Sequence, residues 1–211
     1  MVVKIEKKKY YIPTTWKEVT CGKFQELILA KDIFDKIQVL TGISRQTAEQ
    51  LDWQSIQILQ AALNFTNDFT MLDGVKVYPK ELDAFDISKQ PSHTILAVQG
   101  VFKKSKEQTD DDFIAHLYAG VDMLNIYINE AKKTQEIEVD IYNEPITDWY
   151  GTMCFFLSKW VAFSLDTVIY QIINQANTNS KRGLRTYLSS LLTWQSVNRL
   201  WKNTSKVLTI F

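Results

Sequence analysis

Few backbone-breaking residues interrupt this chain of 211 residues. It contains seven glycines and four prolines, together roughly 5% of the residues against the ~12% of average usage. Tight turns are therefore few, which argues against a β-sandwich, a β-propeller or a collagen-like chain. Intrinsic disorder is also disfavoured, because 45% of the residues are hydrophobic and the formal net charge is zero.

Cysteine and long apolar runs are scarce as well. Cys21 and Cys154 cannot build a disulfide framework, and neither lies in a CxxC or Cys/His pattern. The first residues lack the apolar core and cleavage site of a secretory signal. The most apolar stretch, 153–173, carries Lys159 and Asp166 on one helical stripe, which predicts a mostly buried helix rather than a membrane span. We therefore expect a protein that is made in a cytosol and meets no membrane.

Catalytic signatures are missing too, since no GxxxxGK(S/T), GxGxxG, HExxH or GxSxG run occurs. Asp110 to Asp112, followed by His116, form the best metal-like cluster, but metal sites usually need three or four converging ligands. Three acids in a first helical turn more simply complement the helix dipole. His93 could be a general base, yet no partner acid or nucleophile can be assigned beside it. The sequence thus predicts no enzymatic activity, no metal, no cofactor and no small-molecule substrate.

Helical periodicity dominates what remains, and predicts a mainly α fold with one domain over residues 1–211. The N-terminal helical unit covers about 12–66, with an interruption near residues 31–32. Trp16 and Trp53 are expected in its core. Gly42 is a natural helix stop, and the predicted N-caps are Thr20, Ser44 and Asp52.

A small β element accompanies the helices. Asp73-Gly74 between apolar-rich runs predicts a hairpin near 69–78, and strands are possible near 2–11 and 137–142. Further helices are expected over 92–102 and 110–125, joined by a solvated segment. The longest apolar helix is predicted from Thr147 to about Ala176.

Acidic residues disappear towards the end of the sequence. No Asp or Glu follows Asp166, and the final 45 residues carry six basic residues, so residues 1–166 sum to −6 and the rest to +6. Trp194 and Trp201 lie seven residues apart and share a helical face. The basic C-terminal segment, about 181–211, is therefore the candidate partner-binding region, through Lys181, Arg182, Arg185, Trp194, Arg199, Trp201, Lys202 and Lys206.

Three interpretations of this charge asymmetry stay open. The basic segment could bind the acidic part of another copy or of a different protein. It could bind nucleic acid, with Tyr187 and the tryptophans available for base stacking. Its charges could also be satisfied within the fold.

The opening segment carries a recognisable pattern. Residues 13–24 fit P-x-x-W-x-E-(V/I)-T-x-x-(Q/K)-(F/Y), followed by Ile37 to Ser44 and Leu51-Asp52. The segment resembles small helical proteins encoded among the virion-structure and tail-assembly genes of tailed bacteriophages of Bacteroidetes hosts, including crAss-like phages.

That resemblance implies a non-enzymatic virion component or assembly factor: a tail-associated protein, a packaged cargo-like protein or a tail-assembly protein. It implies other phage structural proteins, or copies of the chain itself, as partners. It also implies that the protein is made in the host bacterial cytoplasm and located in the virion. No catalytic residues are carried over.

Overall fold

A computed structural model describes residues 1–5, 8–69, 72, 86–132 and 140–177. These residues are mostly helical and include a small two-stranded antiparallel sheet, which confirms the mainly α fold class with a small β element. The strands are β1 (Val2–Ile5) and β2 (Lys8–Tyr11), paired with Val2 opposite Tyr11 and Ile5 opposite Lys8. The α-helices are α1 (Cys21–Leu27), α2 (Ile33–Thr41), α3 (Arg45–Glu49), α4 (Trp53–Ala62), α5 (Ser92–Gln108), α6 (Asp112–Lys132) and α7 (Ile146–Asn177).

The predicted helix ends in the N-terminal unit are confirmed. The side chains of Thr20, Ser44 and Asp52 each accept a hydrogen bond from a backbone N–H in the first turn of α1, α3 and α4. Gly42 follows α2 with φ 75°, the left-handed conformation that glycine adopts without strain. Asp32 caps α2 and so accounts for the predicted interruption between α1 and α2.

The core is centred on α6, which packs against α5, α7 and α1. The Tyr127 ring of α6 lies 4.9 Å from that of Phe156 on α7, and both side chains are buried. A Cβ added to Gly120 would lie 2.9 Å from Cγ of Met153. The absence of a side chain at Gly120 therefore lets α6 and α7 approach closely.

Two predicted connections differ in the structure. The strand predicted near 137–142 is wrong over the residues that the structure describes, 140–142. Ile141–Asn143 form a 3-10 helix, and the Asp140 side chain accepts a hydrogen bond from the Tyr142 N–H. Such a side-chain cap bends the backbone away from a strand. The segment predicted to join the two helices, 103–109, is largely exposed as predicted, but α5 continues through Gln108, so most of this segment is helical.

The predicted hairpin near 69–78 lies outside the described residues except for Phe69 and Leu72. The apolar helix predicted from Thr147 is confirmed as α7, which begins one residue earlier. Among the helices that the structure describes, none combines the length and the apolar character that crossing a membrane requires.

The two N-terminal tryptophans have opposite environments. Trp16 is buried as predicted, but the prediction of Trp53 as a core residue is wrong, because its side chain is 71% exposed. The buried stripe of this helical segment is formed by Ile56, Leu59 and Leu63. At 100° per residue, Trp53 lies about 90° from the centre of that stripe. Its i, i+3 spacing to Ile56 therefore does not place it on the buried side.

Candidate functional site

The eight residues predicted to bind a partner lie outside the described residues. Their role stays a prediction, and the structure neither brings them together nor separates them. The set comprises Lys181, Arg182, Arg185, Trp194, Arg199, Trp201, Lys202 and Lys206.

The aromatic residues of the opening pattern form part of the core. The Trp16 indole N–H donates to the Asp68 carbonyl over 2.9 Å, which ties the opening segment to the chain beyond α4. Its ring meets those of Phe24 and Phe65 edge-on, with centroids 5.9 and 5.2 Å away. Such T-shaped pairs are favoured by the aromatic quadrupoles. Trp16 and Phe24 are consequently structural and not available to a partner.

Glu18 holds the turn before α1. Its carboxylate accepts hydrogen bonds from the Thr14 N–H at 2.6 Å, from the Thr15 N–H at 3.3 Å and from the Tyr11 hydroxyl. These bonds favour the ionised form, and the Thr14 N–H above all lowers the pKa of Glu18 to about 2. Glu18 is therefore charged at neutral pH and serves as a local anchor.

The end of the opening pattern joins α1 to α7. Ile146 donates its N–H to the Val19 carbonyl over 2.9 Å, and Cys21 donates to the Glu144 carbonyl over 2.8 Å. Burial, with Glu144 and Asp148 nearby, raises the pKa of the Cys21 thiol to about 12. The thiol therefore stays protonated and unreactive as a nucleophile at neutral pH. The pattern thus positions two helices of the fold.

The acid cluster before His116 forms a helix start. Asp111 accepts the N–H groups of Phe113 and Ile114 at 2.9 and 3.0 Å, and Asp112 pairs with Lys106 at 3.6 Å. The Nδ1 of His116 lies 2.5 Å from the Asp112 carbonyl oxygen. Within the described ranges, no three His, Cys, Asp or Glu residues are grouped so that they could hold a metal ion. Asp111 therefore caps α6. The prediction that all three acids lie in the first turn holds for Asp112 only, because α6 begins at that residue.

His93 has an acidic neighbour that the sequence did not reveal. Its Nε2 lies 3.6 Å from Oε2 of Glu130, so that protonation of the imidazole creates an ion pair between α5 and α6. The two residues are far apart in the chain, and only the packing of α5 along α6 brings them together. The pair lies at the surface, since the His93 side chain is 67% exposed.

One helix face combines exposed apolar side chains with a complete lack of charge. Trp53 is 71% exposed and Ile58 is 48% exposed, and the α4 sequence contains no ionisable residue. We call this surface the α4 outer face; it comprises Trp53, Gln54, Gln57, Ile58, Gln60 and Ala61. The sequence could have indicated this face through Gln54, Gln57 and Gln60, because glutamine is rarely a core residue and three glutamines on one side of a helix indicate an exposed surface.

Comparisons with known proteins add no assignment. No family model matches the chain, and no curated protein or solved structure matches it. The chain's own residues and the resemblance of its opening segment therefore carry the functional proposal.

Proposed function

We propose that this protein is a non-enzymatic bacteriophage virion component or assembly factor that acts through protein–protein contacts. The observation that carries the contact role is the α4 outer face, with its exposed Trp53 and Ile58. Interface centres are depleted in charge and enriched in tryptophan, which often dominates binding energy. The phage assignment rests on the resemblance of the opening segment, which covers about residues 10–65.

The uncharged α4 outer face and the charge asymmetry can act together in one contact. An uncharged patch supplies affinity through apolar burial, at about 25 cal/mol per Å² of apolar area. The charge asymmetry, −6 over residues 1–166 and +6 beyond, supplies orientation and long-range attraction, because complementary charge accelerates and directs association. Phage structural proteins, including copies of this chain, are the proposed partners.

The test uses particles of the phage that encodes the chain, purified on a density gradient and probed with an antibody against the protein. A virion component is expected to sediment with the particles. An assembly factor is expected to be absent from them, while deletion of its gene lowers the particle yield. Absence from the particles together with an unchanged yield after deletion would refute the proposal.

One substitution tests in the same assay whether the α4 outer face makes the proposed contact. Trp53→Ala is expected to lower incorporation or particle yield at least tenfold, because truncating a central interface tryptophan commonly costs about 2 kcal/mol or more. Leu96→Ala is the matched control, since Leu96 is 64% exposed on α5, outside the α4 outer face. Equal effects of the two substitutions would remove the α4 outer face from the proposal.

A nucleic-acid-binding accessory protein is the second candidate function. Six basic residues without any acid after Asp166 favour it. Binding to a short DNA duplex should then weaken steeply with salt. Replacing Arg182 and Arg185 with alanine should reduce that slope by about 2, since each phosphate contact contributes about one. An unchanged slope would dismiss these two residues.

A further inference from the structure

The sheet formed by β1 and β2 has one face in the core and one face in solvent. Side chains alternate between the two faces of a strand, and Val3, Ile5 and Tyr10 of the inner face pack in or against the core. The other face is exposed at every position. We call it the hairpin outer face; it comprises Val2, Lys4, Lys9 and Tyr11.

Two lysines lie directly opposite each other on the hairpin outer face. Met1 and Ile12 exchange two hydrogen bonds of 2.7 Å. Because bonded and non-bonded pairs alternate along an antiparallel ladder, Lys4 and Lys9 form a non-hydrogen-bonded pair, in which the Cα atoms are only about 4.5 Å apart. Like charges at this spacing destabilise a sheet. An anion bound beside the two ammonium groups would offset that repulsion.

The lysine pair is not neutralised within the part of the chain that the structure describes. Neither Lys4 nor Lys9 forms an ion pair there. The carboxylate of Glu18 is instead bonded to the Tyr11 hydroxyl and to the Thr14 N–H. Residues 1–12 carry a net charge of +3, whereas residues 13–166 sum to −9. A polyanion is therefore attracted to the hairpin and repelled by the acidic remainder.

Tyr11 places an aromatic ring next to the lysines. Its side chain is 54% exposed, and the bond from its hydroxyl to Glu18 holds the ring in place. Lys9 and Tyr11 lie about 7 Å apart along β2, so a phosphate and a nearby base can be bound together.

Cations beside an exposed ring are the combination that binds single-stranded nucleic acid, since the cations attract phosphates and bases stack on the ring. An acidic peptide would satisfy the lysines but offers no flat group to the ring, and the bases of a duplex are already stacked on one another. We propose that the hairpin outer face binds single-stranded nucleic acid, with Lys4 and Lys9 on its phosphates and a base on Tyr11.

This activity goes beyond the proposed protein–protein contact and uses neither the α4 outer face nor the basic C-terminal segment. Two lysines and one ring hold only a short stretch of the strand. The affinity should therefore lie in the range of non-specific binding, with a Kd of about 10⁻⁴ to 10⁻⁶ M, and should fall steeply with salt.

The test is fluorescence anisotropy of a short labelled oligothymidine strand titrated with the full chain. At about 0.05 M salt, replacing both Lys4 and Lys9 with glutamine should weaken binding at least tenfold and reduce the salt slope by about 1.4, the contribution of two phosphates on a single strand. Replacing Lys103 and Lys104 with glutamine is the matched control. It removes the same charge from exposed positions of α5 and should leave the slope unchanged.

Two further substitutions test the stacking. Tyr11→Ala should weaken binding at least about fivefold, because the base loses its platform. Tyr11→Phe keeps the ring and should retain most of the affinity. The thermal unfolding midpoint of the Lys4 and Lys9 double variant should be unchanged or raised, since a like-charge pair is removed, so weaker binding would not reflect a loss of the fold.

Equal affinities of the two lysine double variants would overturn the proposal, as would equal losses from Tyr11→Ala and Tyr11→Phe. If polyglutamate displaces the strand and Tyr11→Ala binds as tightly as the unmodified chain, the face recognises acidic protein and the proposal is wrong. Replacing Lys181, Arg182 and Arg185 with glutamine separates the two basic regions. The loss caused by the Lys4 and Lys9 substitutions should persist in that background, and its disappearance would assign the binding to the C-terminal segment.

Discussion

Glu18 illustrates how one partly exposed carboxylate can carry a pH dependence. Its folded-state pKa of about 2 lies below the ordinary value of about 4.3. The folded protein therefore stabilises the ionised carboxylate relative to the protonated one. The resulting stability is fully present above the unfolded-state pKa and is lost as pH falls towards the folded-state pKa. Since the group is largely solvated, its contribution is at most about 1 kcal/mol.

We therefore predict that Glu18→Gln lowers the free energy of unfolding by up to about 1 kcal/mol at pH 7 and by much less near pH 2. Urea denaturation at both pH values measures the difference from the unmodified chain. Glu107→Gln, at an exposed position of α5, is the control and should change little at either pH. A loss that is equally large at both values would contradict this account of Glu18.

Two helical glycines give opposite predictions for the same substitution. A Cβ at Gly100 meets nothing within 4 Å, whereas a Cβ at Gly120 would lie 2.9 Å from Cγ of Met153 and 3.1 Å from Cδ1 of Leu157. Gly100→Ala should stabilise the protein by about 0.5–1 kcal/mol through helix propensity. Gly120→Ala should destabilise it by about 1–2 kcal/mol, because overpacking outweighs that gain. Thermal unfolding measures both, and stabilisation by Gly120→Ala would show that α6 and α7 can separate without cost.

At the scale of elements, Arg45 fastens the start of α3 to the start of α2. Its guanidinium contacts Asp32 at 2.8 Å, Asp35 at 2.7 Å and Glu49 at 2.8 Å, and it lies over the Phe34 ring. The planar fork of arginine can hold several carboxylates at once, whereas lysine offers a single ammonium group. Because the Arg45 side chain is 43% exposed, solvent weakens each ion pair on its own. The cluster stabilises the fold because the three pairs form one network.

We predict that Arg45→Ala measurably lowers the free energy of unfolding, and that Arg45→Lys recovers less than half of the alanine loss. The loss should shrink in high salt. Lys89→Ala is the control, since Lys89 pairs only with Asp86 at 3.4 Å and is 81% exposed; it should change stability by less than about 0.5 kcal/mol. If Arg45→Lys were as stable as the unmodified chain, the positive charge alone, and not the planar guanidinium, would account for the stabilisation.

The elements also show which signals can be read from sequence. Caps such as Asp52 and stops such as Gly42 were predicted correctly because they act through hydrogen bonds and dihedral angles within a few residues. The α4 outer face was missed, because apolar identity placed Trp53 in the core and only the packing around Leu59 fixes the orientation of the helix. The His93–Glu130 pair depends on the docking of α5 along α6, which no local pattern encodes.

For the whole molecule, the zero net charge conceals a division between an acidic body and a basic C-terminal segment. The uncharged α4 outer face and this division act over different ranges. The face works only in direct contact, whereas charges act over about 30 Å at 0.01 M salt and about 3 Å at 1 M. The two proposed modes of association can therefore be separated by ionic strength.

We predict that light scattering detects larger assemblies at about 0.01 M salt than at about 1 M, because the basic segment of one copy is attracted to the acidic body of another. Neutralising Lys181, Arg182 and Arg185 with glutamine should abolish this dependence, whereas Trp53→Ala should leave it unchanged. If the mass instead rises only on addition of a short DNA duplex, the basic segment binds nucleic acid and not the acidic part of another copy.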